Sequence, residues 1–129
     1  MENLDIQPTG NTPLVRFNAE TGKLLLKGRS IPEDPGEFYE RVLHWLETYF
    51  SETDQETEME FVLEYANSGS SKYVLEILKD LQKYSFAGKN IRIIWCYEED
   101  DESIEELGEI YMNAVKVPFE MREIPEEEL

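Results

Sequence analysis

The segment TEMEFVLEYANSGSSKYVLEILKDL, Thr57–Leu81, holds the key to the architecture. Over its first nine residues the side chains alternate, with Met59, Phe61, Leu63 and Tyr65 on one side and Glu58, Glu60, Val62 and Glu64 on the other. A period of two with one apolar side is a strand with one well-buried face. After the small polar stretch Asn67–Ser71 the period changes: Val74, Ile77, Leu78 and Leu81, followed by Tyr84 or Ser85, recur at the spacing of a helix. That helix is predicted over about residues 70–86, with Gly88 as its terminating glycine. Ile91–Tyr97 then returns as an apolar, β-branched and aromatic run, the pattern of a central strand.

The same pattern extends in both directions. Downstream, Ser103 and Glu106 form a capping box opening a third helix, with Ile104, Leu107, Ile110 or Tyr111, and Ala114 as its inner stripe. Val117–Ile124 is a last strand with Pro118 near its start. Upstream, Asp34 as N-cap, Pro35 in the first helical position and Glu37 three residues after the cap begin a helix that runs to Tyr49 or Phe50. Phe38, Val42, Trp45 and Tyr49 form its apolar stripe, with Leu46 beside it. Pro13–Asn18 and Lys23–Gly28 make a hairpin around the turn Ala19–Gly22.

The predicted order is ββαβαβαβ: an α/β fold of two layers, with a mixed sheet of about five strands (13–18, 23–28, 57–65, 91–97 and 118–124) and about three helices. The crossovers after residue 30 are expected to be right-handed between parallel strands. The carboxylates Glu58, Glu60 and Glu64 place the helices on one face only.

Composition bounds the function. The 129 residues contain 12 Lys and Arg against 29 Asp and Glu, a net charge of −17, with 40% hydrophobic residues. That is one globular domain over residues 1–129, with enough apolar material for a core. A polyanion without a basic patch is repelled by nucleic acid and by anionic membrane. Residues 98–129 hold 13 acids and 2 bases, and the acidic tail 125–129 is expected to fray. No apolar run approaches the roughly 20 residues that span a bilayer, and Met1–Asp5 has no basic or apolar leader character. The single cysteine, Cys96, excludes an internal disulfide and fits a reducing cytoplasm.

Candidate chemistry is sparse. His44 is the sole histidine, and no second His or Cys completes a metal shell, so neither a metal nor a cofactor is expected. The run Glu98–Glu102 lacks the glycine and the spaced ligands of a calcium loop and reads as a solvated connector or a partner-facing patch. Cys96 lies inside an apolar strand and reads as a packed thiol. No phosphate-loop or nucleophile-elbow motif is present. The Ser68–Ser71 stretch differs from these: it follows a strand and opens a helix, bringing hydroxyls next to free backbone N–H groups and a positive dipole end. A phosphoryl group is well accommodated there, and one of the serines is expected to serve as plain N-cap.

Several features taken in order resemble the SiaC family of small bacterial regulatory phosphoproteins. They are Asn11-Thr12-Pro13, Gly28 with Ile31-Pro32-Glu33, Phe38 and Trp45, Tyr65-x-Asn67-Ser68-x-Ser70-x-Lys72, and Trp95-x-Tyr97. The resemblance spans nearly the whole chain. It implies a STAS-like fold similar to anti-sigma-factor antagonists, and a hydroxyl residue phosphorylated in the loop before the second helix. A cognate protein kinase adds the phosphate and a PP2C-type phosphatase removes it. In relatives the unphosphorylated protein binds a diguanylate cyclase and activates it. The family position, commonly a threonine after asparagine, falls on Ser68 after Asn67, with Ser70 and Ser71 as alternates because Gly69 replaces another hydroxyl.

The expected partner surface comprises Asn67, Ser68, Gly69 and Lys72 with the exposed side of the second helix, Tyr73, Glu76 and Asp80. No catalytic residue is assigned on this reading. A rival is an enzyme or small-ligand protein holding two or more of Glu64, Glu98, Asp100 and Asp101 around a concave pocket. A third is a homo-oligomeric subunit with aromatic surface from Tyr73, Tyr84 or Trp95.

Overall fold

The computed structural model describes residues 1–126. Its elements, in chain order, are β1 (Leu4–Ile6), β2 (Leu14–Asn18), β3 (Lys23–Ser30), α1 (Pro35–Glu52), β4 (Thr57–Ala66), α2 (Ser68–Phe86), β5 (Ile91–Glu98), α3 (Glu102–Ala114) and β6 (Phe119–Ile124). All six strands lie in one sheet in chain order. The first three pair antiparallel and the last four parallel. The mixed two-layer α/β fold is as expected, with one strand more than predicted.

The hairpin turn closes on Gly22, whose φ of 74° suits glycine and whose missing Cβ leaves room for the Glu56 carbonyl. The Gly22 carbonyl accepts from Glu58 N at 2.8 Å, tying the turn to the start of β4.

Alternation gives the sheet two unlike faces. Val15, Phe17, Leu24, Leu26, Met59, Phe61, Leu63, Ile93 and Trp95 pack beneath all three helices in one core. Full burial of each such side chain is worth about 1.5–3 kcal/mol. The other face carries only a small cluster of Val62, Ile94 and Cys96, with Leu25 and Ile124 at its margin. A charge ladder runs across four strands of that bare face: Lys23 to Glu58 at 2.7 Å, Arg92 to Glu58 at 3.5 Å, Arg92 to Glu120 at 3.8 Å and Arg122 to Glu120 at 2.7 Å. Cys96 is packed as expected. Its thiol is pushed up to about 12 by burial and then by Glu60, whose carboxylate accepts the S–H at 3.4 Å.

Several boundaries differ from the sequence reading. Strand β1 was not foreseen; it is held by Trp45 Nε1 donating to the Glu2 carbonyl at 3.0 Å and by the Asn3 side chain accepting from Ala19 N at 2.8 Å. β5 is interior, yet it lies next to the edge strand β6, while β3 and β4 occupy the middle. Asp34 caps α1 as predicted. On α3 the cap is Asp101, which accepts from Ile104 N at 3.0 Å, rather than Ser103. Gly108, not Ile110 or Ala114, faces the sheet, because the Trp95 indole fills the space a Cβ would need and donates to the Ile104 carbonyl at 2.9 Å. Ile110 is 63% exposed. Of the acidic tail, Pro125 and Glu126 are exposed, and residues 127–129 lie outside the described residues.

Candidate functional site

The Asn67–Ser71 segment sits where β4 ends against β3. Ala66 pairs with Ser30, and Asn67 N donates to the Ser30 carbonyl at 3.0 Å. Asn67 is extended (φ −73°, ψ 174°) and its Oδ1 accepts from Ser70 N at 2.9 Å. The N-cap of α2 is therefore this asparagine and not a serine. The helix begins at Ser68, two residues before the predicted start, so Ser68–Ser71 is a helical first turn rather than a loop. An amide side chain caps well because its carbonyl oxygen reaches an otherwise unpaired backbone N–H.

The turn sorts the three serines by environment. Ser68 is exposed. Ser70 has no exposure and accepts from Ser30 Oγ at 2.8 Å, while Ser30 Oγ and the Tyr39 hydroxyl share a bond of 2.6 Å. Burial raises the Tyr39 phenol above its ordinary range, so it stays protonated. Ser71 is half-buried, and its carbonyl accepts from the Tyr111 hydroxyl of α3 at 2.8 Å. Phenols from α1 and α3 thus grip the start of α2 from both sides.

The start of α1 lies close by. A Cβ on Gly69 would meet Pro35 Cγ at 3.1 Å, and one on Gly36 would meet the Tyr73 hydroxyl at 3.0 Å. Tyr73 stacks on Tyr39 with centroids 5.5 Å apart and planes 6° from parallel. It is half-buried, which corrects its expected place on the exposed side of α2. Lys72 and Glu76 are exposed. Asp80 is half-buried, and its carboxyl is raised chiefly by that burial. Of the aromatics expected at an oligomer surface, Trp95 is fully buried and Tyr84 stacks on Phe50. The exposed large apolar side chains are instead Tyr65, Phe86, Ile110 and Met112, together with Met1. Their exposure depends on how helices and strand ends are turned, which no local sequence signal gave.

The neighbouring connection is acidic. Glu98, Glu99, Asp100, Asp101 and Glu126 line a shallow concavity of ≈ 310 Å³. Partial desolvation, then Glu126, Asp101 and Glu64, raise the Glu98 carboxyl above its ordinary range. Asp101 is occupied in capping α3, and Glu99 and Asp100 stand in solvent. Among the described residues no group of three or more His, Cys, Asp or Glu is arranged to hold a metal ion. His44 is exposed on α1.

These features define a class: a two-layer α/β protein with one bare sheet face, whose parallel strands end at a serine-bearing helix start. Residues 6–124 match the family described as SiaC family regulatory phosphoprotein, and the chain belongs to that family. A protein of Pseudomonas aeruginosa (strain UCBPP-PA14) is 29% identical over 119 residues, covering 92% of this chain and 94% of its own length. The crystal structure of apo-SiaC from P. aeruginosa superposes with a TM-score of 0.88 at 28% identity, covering 95% of this chain and 99% of that one. SiaC bound as activator to the diguanylate cyclase SiaD of the same organism superposes with a TM-score of 0.90 at 27% identity, covering 94% and 99%.

Proposed function

We propose that this chain is a non-enzymatic cytoplasmic switch, one STAS-like domain phosphorylated on Ser68, that binds and activates a diguanylate cyclase in its unphosphorylated state. A protein kinase adds the phosphate and a PP2C-type phosphatase removes it. The observation that carries the reading is the sorting of the three serines. Ser68 alone is exposed, whereas Ser70 is locked beneath the turn by Ser30, and Ser71 is half-buried with its carbonyl held by Tyr111. Modifying Ser70 requires α2 to open its first turn. The relative that activates SiaD supports the choice of output partner.

The physics is direct. A phosphate adds about −1.5 to −2 charges. In the first turn of α2 it meets free N–H groups and no acidic side chain, so the helix dipole offsets part of the cost by about 0.3–1 kcal/mol. The fold therefore survives modification. A partner fitted to a neutral Ser68 hydroxyl must instead desolvate a dianion, which is enough to undo a modest interface. Asn67, Gly69 and Lys72 frame the modified position, with Glu76 one helical turn beyond Lys72 and Tyr73 forming the wall toward α1.

Incubation with the host's candidate kinases and ATP, followed by peptide mapping, tests the assignment. The expected product carries one phosphate on Ser68, and Ser68→Ala takes up none. Phosphate on Ser70 or Ser71 in the folded chain refutes the assignment.

A further inference from the structure

The flank where α2 meets α3 brings exposed apolar side chains and lysines together on this acidic chain. The Ser71 carbonyl accepts from the Tyr111 hydroxyl of α3 at 2.8 Å, and the Gln82 side chain accepts from Lys116 N, two residues past α3, at 2.6 Å, which marks the side of α2 turned toward α3. At about 100° per residue, Leu75 falls on that side, Ser68 and Phe86 beside it, and Lys79 and Lys72 farther round on its solvent edge. On α3, Leu107 and Ala114 fall within about 60° of Tyr111 by the same spacing, and Ile110 lies farther round on the solvent edge of that flank. Leu75 and Leu107 are half-buried, while Ile110 and Phe86 are 63% and 67% exposed.

Charge completes the pattern. Lys72, Lys79 and Lys116 are exposed and, among the described residues, engage in no ion pair. Lys83 lies farther out, over the Tyr84 ring. Two acids of α3 are turned away, Glu105 and Glu109 flanking Tyr97 on the opposite side. Glu76 and Glu106 stand on the outer rims, and Asp80 faces α1. In a chain of net charge −17, an apolar strip edged by unpaired lysines is complementary to an apolar element with acidic edges. The strip runs between the two helices for about the length of the 13-residue α3, roughly 20 Å, which suits a helix laid on a helical seam.

We propose that the α2–α3 seam docks an amphipathic α-helix of the partner, whose apolar stripe covers Leu75, Leu107 and Ile110 and whose acidic edge faces Lys72 and Lys79. Ser68 stands at the head of the seam, so its phosphate repels the acidic edge and competes for Lys72. The switching half of this inference rests on the Ser68 reading above; the docking half does not.

The probe is a synthetic amphipathic peptide of about 20 residues with Leu on one stripe and Glu on both edges, and a twin with Lys in place of Glu. Each is titrated into the ¹⁵N-labelled full chain. The Glu peptide is expected to shift the amides of Leu75, Lys79, Leu107 and Ile110, and the Lys twin to leave them in place. Ile110→Asp and Lys79→Glu, both at exposed positions and checked for native fold by circular dichroism, each weaken binding by about tenfold. Preference for the Lys twin, shifts confined to the bare sheet face, or no binding of the Glu peptide at millimolar concentration overturns the docking surface. A chain with phosphoserine incorporated at 68 during translation is expected to bind about tenfold more weakly. Undiminished binding to it overturns the switching half and leaves the docking half supported.

Discussion

The connection from β4 to α2 and the connection from β5 to α3 stand side by side at the same edge of the parallel sheet, and each starts its helix with a side-chain cap. In the first the cap is Asn67 and the first turn holds no acid; in the second the cap is Asp101, followed by Glu102 and Glu105. The α3 dipole is thus already matched by carboxylates, in a concavity lined by Glu98 and Glu126 as well. The α2 dipole is left without an anion. A protein of net charge −17 has kept one helix start neutral, and there an added phosphate has the largest electrostatic contrast between its two states.

The sharpest probe of this contrast lies within the neutral turn. Ser70→Asp places a carboxylate at a position with no exposure, beside Ser30 and Tyr39. It is expected to cost about 3–5 kcal/mol, seen as a fall in Tm of roughly 10 °C or more. A stable Ser70→Asp chain would mean the turn opens easily, and the sorting of the serines would lose its meaning. Next in size is partner binding. Ser68→Asp should weaken cyclase binding by about tenfold, or roughly 1.4 kcal/mol, while Ser68→Ala leaves it within about twofold. Calorimetry on the two variants decides. Removing the caps, Asn67→Ala or Asp101→Ala, is expected to cost about 1 kcal/mol each by urea unfolding, since each deletes one acceptor for a backbone N–H.

The smallest effect is in pH. Glu98 is raised in the folded chain by desolvation and by Glu126, Asp101 and Glu64. A carboxyl raised on folding destabilises above its folded value, and the penalty fades as pH falls toward the ordinary glutamate range near about 4.3. The first-turn amides of α3 should therefore gain protection from hydrogen exchange as the pH falls from 7 toward the ordinary glutamate range, after correction for intrinsic rates, while those of α2 do not. Equal changes at both helix starts would show that the acids of the second connection are too well solvated to repel one another.

Most of the framework was legible because period carries it. The alternation of Met59, Phe61 and Leu63 and the helical stripe of Val74, Ile77 and Leu81 each faced the core as read. What escaped depends on distant partners. Leu4–Ile6 is a three-residue edge strand whose anchors, Trp45 and Ala19, are remote in sequence. The inward turn of Gly108 depends on the Trp95 indole, and the burial of Ser70 on Ser30 and Tyr39. The serine turn was found as a site from its place between strand and helix, yet which serine reaches solvent is a tertiary fact.

The sheet keeps the order of the chain, with each strand laid beside the one made before it. No strand waits for a distant segment to be synthesised, so every crossover closes over the shortest stretch its helix allows, which keeps the entropic cost of each closure low. The domain is suited to assembly in step with translation, N-terminus first, at the pace of the ribosome. Ser30, Tyr39 and β4 all precede Ser70 in the chain, so the partners of the buried serine are synthesised before it. The last strand, β6, then flanks β5 as the sheet's final edge.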